Sequence, residues 1–125
     1  MNEPLIAWQW KLYPTNHLDR RNLVMHLVTV PLFWAATLTL LASPLLGLVA
    51  ALGSALTLVA VIALQGRTHG LEVVKPVPFR GPFDVLLRIF AEQFFTFPRF
   101  VLTGGLARAW RSGAAAGFAK PASVE

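Results

Sequence analysis

The sequence predicts an all-α integral membrane protein: a helical hairpin of two transmembrane helices, followed by one or two amphipathic or re-entrant helices. Three observations predict it. Hydrophobic residues make up 55% of the 125-residue chain and charged residues only 14%, too few to coat the large relative surface of a small soluble domain. All eleven Lys and Arg and all six Asp and Glu lie outside Asn22–Gly66, where only His26 can carry charge. That stretch divides at Ser43-Pro44 into two apolar runs, each about as long as a helix needs to cross the hydrocarbon.

Residues 1–112 read as one membrane-embedded domain and 113–125 as a flexible tail rich in Gly, Ala and Pro. In the N-terminal segment, Trp8, Trp10 and Tyr13 either sit at the headgroup level or pack on the domain. Thr15 or Asn16 is suited to cap a helix beginning near His17. The first span, 23–43, contains Pro31, which membrane helices tolerate. Pro44 disfavours helix at Ser43 and places the turn there. The second span, 45–64, carries small residues at Gly47, Ala51, Ser54, Ala55 and Ala60 that admit a neighbouring helix or a second copy of the chain.

Residues 66–82 hold three prolines and three glycines and read as loop. Over 83–97 helical spacing returns, with Asp84, Arg88 and Glu92 at i, i+4 and i+8. These three form an ion-pair ladder at the interface or turn toward a wet cavity. Phe90, Phe94, Phe95, Phe97 and Phe100 would line an acyl tunnel or pack against lipid or a partner helix. Pro98 ends or bends this helix, and Gly104-Gly105 weakens a further one over 100–110.

The turn between the spans carries no charge and the basic residues lie at their far ends. The positive-inside rule then puts both termini in the cytoplasm of a multi-pass protein, with a bacterial inner membrane as the expected location. A net charge of +5 is read as attraction to anionic lipid rather than to nucleic acid. The absence of cysteine excludes disulfides, thiolate ligands and a cysteine nucleophile.

An antiparallel hairpin turning near Pro44 brings His17, His26 and His69 to one membrane face, with Glu72 able to join them. Imidazoles with a carboxylate suit Fe(II), Mn(II) or Zn(II), and fewer than six protein ligands leave positions open. His69 and Glu72, three apart, would share a face on a helical turn.

The pattern His17-x4-Asn22-x3-His26-x4-Pro31, then Gln65-x3-His69 and Glu72-x3-Pro76, resembles the Mpo1-like family of small membrane proteins, whose yeast member is a 2-hydroxy fatty acid dioxygenase. The likeness runs from about His17 to Pro98. It departs at Thr68, where the family commonly has Gly, and in a His69–Glu72 spacing one residue shorter. The resemblance implies an Fe(II)-dependent dioxygenase that shortens 2-hydroxy fatty acids by one carbon. It implies His17, His26 and His69 as metal ligands, with Glu72 either a fourth ligand or the partner orienting an imidazole. Gln65 and Asn22 would bond a ligand or the substrate, or join the helices. Arg67, Lys75 or Arg80 would receive the substrate carboxylate or contact lipid phosphate. Two rival readings use the same residues: a non-catalytic membrane scaffold and a metal-binding accessory protein.

Overall fold

A computed structural model describes residues 3–116. Its elements are α1 (Leu5–Leu12), a 3₁₀ turn (Tyr13–Thr15), α2 (Arg20–Leu46), α3 (Leu48–His69), α4 (Pro82–Ala91), a π-helical stretch (Glu92–Thr96), α5 (Phe97–Leu102) and α6 (Gly105–Ala116). There is no strand among the described residues. Helices α2 and α3 are long and apolar enough to cross a membrane, and they pack along each other more extensively than any other pair of elements.

The turn falls later than Ser43-Pro44 suggests. Helix α2 runs through Pro44 and stops at Gly47, whose φ of 103° is open to glycine and strained for other residues. Proline cannot donate to Leu40 O, but the Ser43 hydroxyl donates to it instead, at 2.6 Å. The neighbouring side chain thus replaces the bond that proline removes. Helix α3 in turn continues past Leu64 to His69. The later turn sets His69, rather than Leu64, opposite His26.

Neither Thr15 nor Asn16 caps α2. The cap is Asp19, whose carboxylate accepts from the Arg21 N–H at 2.9 Å. The Thr15 hydroxyl donates back to Leu12 O. At the other end, α6 extends through Ala116, beyond the boundary expected at residue 112. Gly113 lies so close to Leu18 that a Cβ would stand 2.3 Å from its carbonyl oxygen. The expected tail from 117 onward lies outside the described residues.

The core is not between the two long helices alone. Tyr13, Leu23, Val30, Phe97, Phe100 and Ala109 form it, with Trp10, Leu18, Trp34, Val101 and Leu106 packed around them. The C-terminal helices therefore close over the N-terminal end of α2. Of the phenylalanines proposed as a tunnel, Phe97 and Phe100 are core. Phe90 and Phe94 pack on Phe33, with Trp34 stacked on Phe94. By contrast, the outward faces of α2 and α3 expose large apolar side chains, including Leu41, Leu45, Val49 and Leu56. A surface of this kind needs an apolar covering.

Candidate metal centre

Four elements each deliver one side chain to a common point. His17 comes from the segment before α2, His26 from the second turn of α2, and His69 from the last residue of α3. Glu92 opens the π stretch. One ligand atom from each lies within 4.8 Å of all the others. The three ring centroids are 4.7–5.0 Å apart and each pair of planes is steeply inclined. Glu92 Oε1 stands 3.1 Å from His26 Nε2, 3.3 Å from His17 Nε2 and 3.9 Å from His69 Nε2.

Hydrogen bonds behind two of the rings define where one of their hydrogens sits. His17 Nδ1 is 2.9 Å from Tyr13 O and His26 Nδ1 is 2.9 Å from Asn22 O. A carbonyl oxygen only accepts, so each Nδ1 carries a hydrogen and each ring turns its Nε2 inward. For a neutral ring this sets an acceptor against a carboxylate oxygen, an arrangement that calls for a shared cation, a proton or a metal ion. His17 Nε2 is buried without a hydrogen-bond partner among the described residues. Burial, only partly offset by Glu92, lowers the His17 pKa to about 4, so at neutral pH it holds no second proton. Burial works against the Glu92 anion, and positive charge shared with the three imidazoles that face it, a proton or a metal ion, outweighs this and holds its carboxyl well below the usual range.

A divalent ion fits this donor set. Two ligands at about 2.1 Å from one ion stand about 3.0–3.4 Å apart for angles between octahedral and tetrahedral. The two shorter Nε2–Oε1 separations fall in that interval, and the third, to His69, is wider at 3.9 Å. Three imidazoles and one carboxylate suit iron, manganese or zinc.

Glu72, expected as a ligand, lies outside the group. Both its oxygens accept from the backbone N–H of Leu18 and Asp19 at 2.9–3.1 Å, and Oε1 also accepts from Asn22 Nδ2 at 2.9 Å. The free N–H groups leading into a helix attract a carboxylate, and they consume this one. It acts on the centre at one remove. Asn22 Nδ2 is 3.5 Å from His69 Nδ1, and Asn22 Oδ1 accepts from the Thr68 hydroxyl at 2.8 Å. Thr68 thus ties the end of α3 to α2.

Gln65 and Asn22 join helices. Gln65 Nε2 donates to Thr29 Oγ1 at 2.7 Å, and Gln65 pairs reciprocally with the wholly buried Gln93. Arg67, Lys75 and Arg80 are all exposed, and none lines the cavity beside the histidines. Lys75 bonds Gly70 O and the Arg80 N–H donates to Asp84.

Sequence reasoning missed three residues. Glu92 was hidden by its place in an apparent i, i+4 ladder. The Asp84–Arg88 pair exists at 3.4 Å, but Glu92 turns to the histidines. Its position on the same face as two other charges, with a wet cavity as one option, was the available signal. Tyr13 is buried, stacks on His17 with centroids 3.6 Å apart, and donates to Glu92 Oε1 at 3.0 Å. Gln93 follows from the π stretch. There Phe97 N–H bonds Glu92 O five residues back, and Trp34 Nε1 donates to Gln93 O at 2.7 Å. Pro98 has no N–H to offer Phe94 O, so regular α-helical spacing cannot be completed across it.

A cavity of about 330 Å³ opens beside the centre, lined by His17, His69 and Glu92 together with apolar groups such as Leu12, Ile62 and Ile89. Compared with protein-family models, with curated proteins and with solved structures, the chain matches none.

Proposed function

We propose that this protein is an Fe(II)-dependent dioxygenase of 2-hydroxy fatty acids, working in a membrane that α2 and α3 cross as a hairpin. The observation that carries the reading is the meeting of His17, His26, His69 and Glu92 beside a cavity whose wall is mostly apolar. The resemblance of the half-motifs around His17 and His69 to the Mpo1-like family supplies the reaction and the metal. In this reading the bacterial inner membrane hosts the protein, with both termini cytoplasmic and the centre at the cytoplasmic rim of the hairpin.

The four residues would hold the ion, with Glu92 taking the part first assigned to Glu72. When bound, Fe(II) supplies a point where the 2-hydroxy acid and dioxygen meet, so that the C1–C2 bond is cleaved oxidatively. The chain's own residues prepare that point. Tyr13 O and Asn22 O fix the His17 and His26 tautomers, the Tyr13 hydroxyl orients Glu92, and Glu72 with Asn22 anchors the start of α2 beside His69. Such outer partners govern affinity as well as orientation. The apolar wall accepts the acyl chain directly from lipid.

The test is anaerobic reconstitution of purified protein with Fe(II), followed by oxygen uptake. One equivalent of iron and uptake that depends on 2-hydroxypalmitate but not on palmitate are expected. Protein that takes up no stoichiometric metal favours the scaffold reading instead. Metal without substrate-dependent uptake favours the accessory one.

A further inference from the structure

The cavity has a second polar element that the metal centre does not use. Arg88 is 8% exposed and lines the same cavity as Glu92. It precedes Glu92 by four residues, one helical turn or about 6 Å along the same face. Its guanidinium lies over the rings of Phe79 (4.4 Å) and Trp8 (5.0 Å). Nη1 donates to Pro78 O and toward Asp84 Oδ2, and Nη2 donates to Val77 O.

A guanidinium has five N–H groups. Those three bonds leave one on Nη2 and the one on Nε, and Nε is buried with no partner among the described residues. Nε and Nη2 flank one edge of the planar fork, and a carboxylate's two oxygens match such an edge. Asp84 offsets only part of the local charge, because Arg80 also faces it at 4.0 Å. Glu92, the other anion of this cavity, is engaged by the histidines, so the free edge of the guanidinium has no carboxylate of its own.

The geometry points to Arg88 as the residue that recognises the acid head group of the amphiphile in this cavity, selecting a carboxylate over an uncharged head of the same size. This deepens, and rests on, the reading of the cavity as a 2-hydroxy fatty acid site. A head group held at Arg88 lies one helical turn from Glu92, and the acyl chain follows the apolar wall. Arg88 thus takes the part that sequence reasoning gave to Arg67, Lys75 or Arg80. Unlike them, it is sheltered from water, where a charge-assisted pair is stronger.

Binding to metal-free protein in detergent tests this without turnover. Trp8 lines the cavity, so tryptophan quenching by chain-brominated 2-hydroxypalmitate and by equally brominated 1,2-hexadecanediol reports both ligands. Wild type is expected to prefer the acid. Arg88→Gln should weaken acid binding about ten- to a hundredfold and leave diol binding in place. Arg88→Lys should fall between them. Asp84→Asn, which loosens the loop contact but keeps the guanidinium, should retain the preference.

An Arg88→Gln protein with the wild-type ratio of acid to diol affinity would reduce Arg88 to a clasp for the 77–79 loop and overturn the assignment. If Arg88→Gln binds neither ligand, Arg88→Lys decides: a lowered ratio supports the assignment and an unchanged one overturns it. Wild-type protein that binds neither compound overturns the fatty acid reading of the cavity together with this one.

Discussion

The two ends of the α2–α3 pair use polar side chains in opposite ways. Toward the turn at Gly47, hydroxyls bond back to their own helix: Ser43 to Leu40 O, Ser54 to Ala50 O, Thr57 to Gly53 O. Around them Leu45 and Val49 are 92% and 87% exposed. At the open end the bonds cross between elements. Thr68 reaches Asn22, Gln65 reaches Thr29 and Gln93, and Asn22 reaches Glu72. Asn22, His26, Gln65 and Thr68 are all buried there. Local bonds satisfy a helix surrounded by hydrocarbon, where an unpaired polar group is expensive. Crossed bonds fix the relative position of helices, which a site with ångström tolerances requires. The difference separates an anchor from an instrument.

Substitutions should grade along that axis. The largest effect is expected from His26→Ala, which removes an inward Nε2 from the centre of the group. Iron affinity, measured by chelator competition, should fall more than about a hundredfold, beyond the range typical of outer partners. Equal affinity in the two proteins would take His26 out of the centre. Glu72→Ala strips the Leu18 and Asp19 N–H groups and the Asn22 amide of their acceptor. It should lower iron affinity about ten- to a hundredfold while every direct ligand remains. A loss as great as that of His26→Ala would return Glu72 to the ligand set.

Gln65→Ala leaves the buried Gln93 amide without a partner, while Thr29 keeps its bond to Met25 O, and should cost about 1–3 kcal/mol of stability, read as a lowered melting temperature in detergent. Tyr13→Phe removes one neutral donor from Glu92 and keeps the stack on His17. Its effect on iron affinity should correspond to about 0.5–1.5 kcal/mol, and any larger change would give the hydroxyl a role beyond positioning. The smallest effect belongs to the turn end. Thr57→Ala, which removes an exposed hydroxyl bond to Gly53 O, should shift stability by no more than about 0.5 kcal/mol and leave iron affinity unchanged. A large change there would break the contrast.

Much of this was legible from residue order alone. Charge-free runs announced the two apolar helices, because length and the exclusion of charge are properties of a segment taken by itself. The three histidines were legible for a related reason: a hairpin pairs positions by simple reflection, and an error of three residues in the turn left them at one end. Glu92 was not legible, since its approach to His17, His26 and His69 depends on how α4 and the π stretch lie across the bundle. Glu72 misled because its spacing from His69 suggested a shared face. The backbone N–H groups ahead of α2 instead made it an acceptor within the fold. Arg88 was read only as part of the i, i+4 ladder, whose pair with Asp84 exists, because sequence cannot tell a sheltered arginine from Arg67, Lys75 or Arg80.

The stretch from Glu92 to Thr96 has a consequence for how this protein tolerates change. A π turn contains one residue beyond what an α-helix uses, an advance of about 100° around the axis. Residues before that surplus are indexed to the histidines through Glu92, and those after it are indexed to the interior through Phe97 and Phe100. Deleting a single residue there would cancel the offset, so that Glu92 and the phenylalanines could not both keep their places. The stretch is a phase shifter between chemistry and packing, and insertions or deletions should be far less tolerable across it than in the loop at 71–81.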